Sequence, residues 1–329
     1  MMKKRFIFII VLAVGVLCFF LWKNSSQNCT SLLIVGDSIG EGAGASDPSL
    51  KWYKYLIPYV KEHYGDKLEI TNVSMGGNTS YAGYVRTMEL DDGKDYDIVI
   101  VCYGENDKEE KFSFYYEQML QAIRKRWPSC QLITILESSQ REYTPKMQDI
   151  QSLSAKYNAY VADIIAAFED SGIAYEELCD DGTHPNDEGQ KVYFHEVAQI
   201  FDEIYTNEQT KKASAAIKEM EGETLSLLPS TFCYYSKDKF EKADALTYKI
   251  VVEKNVNRIG IDFACISGQQ DIMIELDGQK IWEYPYDWNY AFEQRYILEA
   301  DNENRYVNEV TVKFSSEEQM KKFYGIVLE

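Results

Sequence analysis

LLIVGDSIGEGAGAS, residues 32–46, is the stretch from which the rest of the chain can be placed. Its first four residues, 32–35, form a short apolar run of the kind that makes a buried strand. Gly36-Asp37-Ser38-Ile39-Gly40 then breaks the run, and Gly42, Ala43 and Gly44 follow closely. A buried strand that ends in glycine and small polar residues can present one reactive side chain at its tip. The N–H groups that open the next helix can face a developing negative charge there. Ser38 is the side chain so presented. The plainer reading is a strand-to-helix turn that uses its glycines for geometry alone.

Outward from this stretch, apolar runs alternate with amphipathic segments. Strands are expected at 31–35, 68–73, 96–103, 131–136 and 159–164, and helices at 49–64, 113–126, 145–157 and 187–205. This alternation predicts an α/β domain with a parallel sheet and right-handed crossovers over residues 31–206. Ligands in such sheets bind outside the strand C-termini. Three glycine-containing loops, at 36–44, 74–80 and 104–107, leave from that edge. A charged, alanine-rich segment follows as a linker at 207–230, helical in look at 207–223. Beyond it, short strands separated by turn signals such as Gly268, Asp277-Gly278 and Asp301-Asn302 predict a C-terminal all-β sandwich, jelly-roll-like, over 231–329. In it Trp282, Tyr284, Tyr286 and Trp288 alternate along one strand. That row is a possible glycan-stacking face, or ordinary packing on one side of the strand.

Asp181-Gly182-Thr183-His184-Pro185-Asn186 precedes the last helix of the first domain. A turn of this kind can fold a carboxylate back onto its own histidine, fix the tautomer and leave the second ring nitrogen for the Ser38 proton. Four patches then stand in order: G-D-S-I at 36–39, N-V-S-M-G-G at 72–77, G-E-N-D at 104–107 and D-G-T-H at 181–184. Together they resemble the SGNH (GDSL-type) hydrolase and esterase family over about residues 31–205. The resemblance implies a three-layer, flavodoxin-like fold. It implies Ser38 as nucleophile, His184 as base and Asp181 as its orienting partner. It also implies an oxyanion hole from the N–H of Ser38, the N–H of Gly77 and the side-chain amide of Asn106. Gly76 rivals Gly77 for the second place; Gly77 is preferred because it follows Asn72 by five residues. Ile39 stands where leucine is commoner, a mild change. Asp37 and Asp107 are expected to brace their turns. Glu41 and Glu105 lie near the expected rim.

Residues 6–22 carry no charge and follow the basic cluster Lys3-Lys4-Arg5. A run of this length suits a transmembrane helix. It ends in bulky Phe19-Phe20-Leu21-Trp22 rather than the small residues of a signal cleavage site. Residues 1–23 are therefore expected to be an uncleaved membrane anchor and 24–30 a tether, with the N-terminus inside and the body extracytoplasmic. Secretion is the alternative. After Lys23 the chain holds 30 Lys and Arg against 53 Asp and Glu, a net charge of −23. That balance argues against nucleic acid as a partner. Six of the seven cysteines lie beyond the anchor, where disulfides are permitted, for example Cys233 with Cys265. No zinc-like spacing occurs among His63, His184, His195 and the cysteines, so no metal or cofactor is expected.

These features predict a serine esterase that removes acetyl or short acyl groups from O-acylated glycans. The alternatives are transfer of the acyl group to a sugar hydroxyl, and a non-catalytic glycan- or protein-binding surface protein.

Overall fold

The structure is a computed structural model that describes residues 28–90, 93–206 and 232–329. The expected membrane anchor, most of the tether and the linker at 207–230 lie outside the described residues. Among the described residues no helix is long and apolar enough to cross a membrane.

Five strands form one parallel sheet: β1 (Cys29–Gly36), β2 (Lys67–Asn72), β3 (Ile98–Cys102), β4 (Gln131–Leu136) and β5 (Tyr160–Asp163). Their order is β2-β1-β3-β4-β5, the flavodoxin-like order. Successive side chains of a strand face opposite sides of the sheet. Leu33, Val35, Val99 and Val101 accordingly join one core with the helices Ser80–Glu89, Glu109–Arg126 and Pro145–Lys156. Leu32, Ile34, Ile98 and Ile100 join the other with the helices Trp52–Tyr64, Ile164–Asp170 and Asp187–Thr206. Every residue of β3 is buried, which fits a central strand covered on both faces.

The remaining strands are β6 (Cys233–Ser236), β7 (Glu241–Asp244), β8 (Thr247–Val256), β9 (Ile259–Cys265), β10 (Gly268–Leu276), β11 (Gln279–Trp288), β12 (Gln294–Asp301), β13 (Arg305–Phe314) and β14 (Phe323–Leu328). They build two antiparallel sheets, β11-β10-β13-β8-β7 and β12-β9-β14-β6. A core that includes Ile250, Phe263, Ile272, Val310, Val312 and Phe323 joins them.

The second domain is not an appendage. Ile297 of β12 and Val327 of β14 are fully buried in the same core as Tyr81, Tyr84 and Val85 of the first domain. Lys111 pairs with Glu299 at 2.6 Å and Arg258 donates to Gln118 at 3.2 Å across the seam.

Three features depart from expectation. The helix Ser80–Glu89 has no counterpart in the sequence reading: Gly83, Val85, Thr87 and two tyrosines are weak helix formers, and burial on the sheet overrides them. The helix expected at 49–64 is broken, with a 3-10 turn at Pro48–Leu50 and extended Lys51 before Trp52–Tyr64. All six described cysteines are free, so the pairing of Cys233 with Cys265 is not made. Its reason is register. Cys233 faces Leu328, which faces Ile259, and Cys265 lies at the other end of β9, ~20 Å along the strand.

Candidate active site

β1 delivers Gly36 to the C-terminal edge of the sheet, and the chain turns at once into a one-turn helix, Ser38–Glu41. The buried Asp37 side chain caps it by accepting from the Ile39 N–H at 2.9 Å, and the Asp37 N–H is held by the Cys102 carbonyl at 3.0 Å. Gly42 closes the turn in the left-handed conformation. Ser38 therefore projects from a turn fixed at both ends, half-buried.

His184 reaches Ser38 from the loop before the helix Asp187–Thr206, with its Nε2 2.9 Å from the Ser38 Oγ. On its other side Nδ1 lies 2.7 Å from Asp181 Oδ2. Asp181 Oδ1 accepts from the His184 and Thr183 amides at 2.8 and 2.9 Å, so the carboxylate folds back on its own loop. Partial burial raises this carboxyl, but the hydrogen bonds from the His184 ring and from the two amides outweigh it and hold the group at about 2. An ionised Asp181 accepts from Nδ1–H, which leaves Nε2 to accept the Ser38 proton. The three groups predicted from sequence thus form one relay.

Two features that the sequence did not disclose hold the relay's loops together. The fully buried Gln190 donates to Ala43 O and Pro185 O, both at 2.9 Å, while its Oε1 accepts from Trp52 N at 2.8 Å. The serine and histidine loops are therefore tied through one carboxamide. Gly44 has φ +91°, and a Cβ there would lie 2.3 Å from Pro185 O, so only glycine allows the two loops to approach this closely.

The other two expected donors converge here as well. Asn106 Nδ2 lies 3.2 Å from Asp37 Oδ2 and 3.1 Å from Asn78 O. The glycine loop passes beside Ser38. A Cβ built on Gly76 would meet Ser38 Cβ at 3.5 Å, and Gly77 follows at φ +69°. Gly76 thus abuts the serine, and Gly77 follows one peptide on. Asp107, expected to brace its own turn, instead accepts from Ser80 N and Oγ and braces the start of the helix Ser80–Glu89. Beneath the site lies a buried acidic group: burial, with neighbouring carboxylates adding to it, pushes Asp37 and Glu137 up. Glu137 accepts from Glu105 N at 2.8 Å and from the Cys102 thiol at 3.3 Å.

The fourth group of predicted residues, Trp282, Tyr284, Tyr286 and Trp288, is partly buried and packs as one row against the sandwich core. Trp282 stacks on Tyr284 at 5.6 Å, and Tyr284 and Tyr286 adjoin Phe263. Trp288 continues the row to the strand end, where it meets Tyr290 at 4.8 Å, Phe292 at 5.6 Å and Tyr296 at 6.4 Å. Tyr296 in turn lies against Gly77, its hydroxyl 2.9 Å from where a Cβ would stand. Tyr290 and Phe292 are 59% and 56% exposed, so an open aromatic cluster stands next to the glycine loop. Nothing local in the sequence marks Gln294 or Tyr296, because their partners are more than 200 residues away.

Among the described residues no cluster of His, Cys, Asp and Glu could hold a metal ion. The arrangement can instead perform acyl transfer with its own side chains: a hydroxyl, a base oriented by a carboxylate, and neutral donors beside them.

Comparison with known proteins agrees with this chemistry. Residues 34–192 match the GDSL-like Lipase/Acylhydrolase family. An arylesterase of Vibrio mimicus is 26% identical over 189 residues, covering 55% of this chain and 92% of that protein. The crystal structure of a two-domain esterase active on acetylated mannans, co-crystallised with mannopentaose, superposes with a TM-score of 0.67 at 16% identity and 94% coverage of both chains. A second crystal structure of a two-domain esterase active on acetylated mannans gives a TM-score of 0.64 at the same identity and coverage. These two share the fold across both domains. The chain is a carboxylic-ester hydrolase, and its first domain belongs to the GDSL-like lipase/acylhydrolase family.

Proposed function

We propose that this protein is a serine esterase that removes acetyl or another short acyl group from an O-acylated glycan through an acyl-enzyme intermediate. The observation that carries the reading is the continuous relay from Ser38 Oγ through His184 to Asp181, at 2.9 and 2.7 Å, beside Asn106 and the glycine loop. Ser38 Oγ attacks the ester carbonyl carbon while its proton passes to His184 Nε2. The carbonyl electron pair moves onto oxygen, where the N–H groups of Ser38 and Gly77 stabilise it, joined by the Asn106 amide as one of its N–H groups turns from Asp37 Oδ2 or Asn78 O to the oxyanion. The ester C–O bond then breaks, and the leaving alkoxide takes the proton from His184. Water adds to the acyl-serine in the same way, giving its proton to His184, and Ser38 leaves with that proton as the free acid departs.

Two things favour a glycan as the alcohol. The two-domain esterase whose fold this chain shares is active on acetylated mannans. The exposed rings of Tyr290 and Phe292, resting on the partly buried Trp288, also offer apolar faces near the glycine loop, where the alcohol portion would lie. Residues 1–23 would hold the enzyme at the outer face of a membrane, as their basic cluster and uncharged run suggest.

The test combines fluorophosphonate labelling with mass spectrometry of acetylated glycans incubated with residues 28–329. Labelling at Ser38 together with release of acetate is expected, and both should vanish in Ser38→Ala. Sustained acetate release by Ser38→Ala would overturn the proposal. Acetate recovered on added sugar rather than in water would replace hydrolysis with transfer.

A further inference from the structure

We propose that the second domain is part of the catalytic apparatus: Gln294, on β12, is a positioning residue that aims the Gly77 N–H at the oxyanion. The inference rests on the serine-esterase reading above and adds a component to it.

Its basis is the set of contacts made by the loop at 76–78. The Gly76 carbonyl accepts from two side-chain amides at once: Asn78 Nδ2 at 2.9 Å, from the loop itself, and Gln294 Nε2 at 2.5 Å, from the second domain. Gly76 C=O and Gly77 N–H belong to one planar trans peptide and point in opposite directions across it. Whatever holds the carbonyl therefore sets the direction of the N–H. A donor on the carbonyl also polarises the peptide and strengthens its N–H as a donor.

The rest of the loop is clamped to the same strand. Asn78 is buried and behaves as a short piece of sheet edge: its Nδ2 donates to Arg295 O at 2.8 Å and its Oδ1 accepts from Ile297 N at 3.0 Å. The Tyr296 ring lies against Gly77. Two adjacent glycines have an unusually wide backbone choice, so without such contacts this peptide would sample other orientations. The first domain contributes Met75 N to Gly36 O at 2.9 Å and the Asn106 amide on Asn78 O at 3.1 Å. Neither of these touches the Gly76–Gly77 peptide. Control of that peptide falls to Asn78 and to β12.

The experiment measures kcat and KM of residues 28–329 with p-nitrophenyl acetate, which has no sugar to occupy a distant binding surface. Gln294→Met and Gln294→Leu remove the donor and retain bulk, and Val251→Thr on the other sheet of the sandwich is the control. Rates are expressed per serine titrated by fluorophosphonate, which removes any unfolded fraction from the result. We expect kcat to fall about 10-fold in both Gln294 variants, below the roughly 100- to 1,000-fold loss of an entire oxyanion donor. KM should stay within about twofold, and phosphonylation should slow in step with kcat. A Gln294→Asn variant, which keeps an amide, should recover part of the rate. Unchanged kcat per titrated site in Gln294→Met and Gln294→Leu would overturn the inference, and so would a change confined to KM. Ser38→Ala in the same assay separates the two claims: an inert Ser38→Ala beside a fully active Gln294→Met leaves the esterase reading intact and removes this one alone.

Discussion

The Ser38–His184–Asp181 side of the site and the β12 side meet at the loop 76–78, and they are built from different materials. The first is made of side chains proposed to react, each set on a tight turn at the end of a strand or helix and fixed by partners close in sequence. The second is made of carboxamides, a ring and a strand edge that react with nothing and hold backbone in place. The proposed chemistry lies in the parallel-sheet domain, and the sandwich holds the loop beside it.

That contrast can be broken at several points, beginning with the largest effect. Ser38→Ala or His184→Ala should lower kcat by about 10,000-fold or more on every ester, whether sugar or aryl, as loss of a triad member does elsewhere. Asp181→Asn should cost about 1,000-fold or more in kcat, since an amide no longer fixes the imidazole tautomer. Because Asp181 is held at about 2, its own protonation should take no part in the acid side of the wild-type rate profile before the acid limit of the fold. Stopped-flow or steady-state assays on p-nitrophenyl acetate across pH check both. Asn106→Ala should lower kcat roughly 100-fold with little change in KM, which would place Asn106 with the reacting groups rather than with the bracing ones.

On the sandwich side the effects should be smaller and of another kind. Tyr290→Ser with Phe292→Ser should raise KM for an acetylated oligosaccharide about tenfold and leave the aryl ester untouched, in keeping with ~1.4 kcal/mol of lost ring contact. Equal losses on both substrates would erase the distinction between the two sides. The smallest expected effect lies beneath the site. Burial raises Glu137, so its contribution to stability is complete below the ordinary carboxylate range near 4 and is lost as pH rises through the raised value. Glu137→Gln should therefore melt within a few degrees of wild type near pH 5 and higher than wild type near pH 9, as read by differential scanning calorimetry.

Much of the reacting side was legible in the sequence because its geometry is local. Asp181 and His184 are three residues apart, and the fold-back needs only a glycine and the two amides between them. Strand β3 announces itself as an uninterrupted apolar run. What escaped was set by tertiary contact. The helix Ser80–Glu89 is made of weak formers stabilised by the sheet beneath them. Gln294 looks like any polar residue in a strand until β12 is laid against a loop 218 residues earlier. The aromatic row of β11 could be found but not given a role: period-two spacing shows that Trp282, Tyr284, Tyr286 and Trp288 share a face, and only the second sheet determines that this face packs on the sandwich core.

Gln190 has a consequence for how the enzyme fails on heating. One buried amide ties the backbone behind the serine to the backbone behind the histidine, and anchors both to the start of the helix Trp52–Tyr64. The Ser38–His184 pair cannot come apart while that knot is whole, nor can the knot loosen without disturbing a helix packed on one face of the sheet. Inactivation should then coincide with the cooperative melt instead of preceding it, with no warm interval in which the protein is folded but idle.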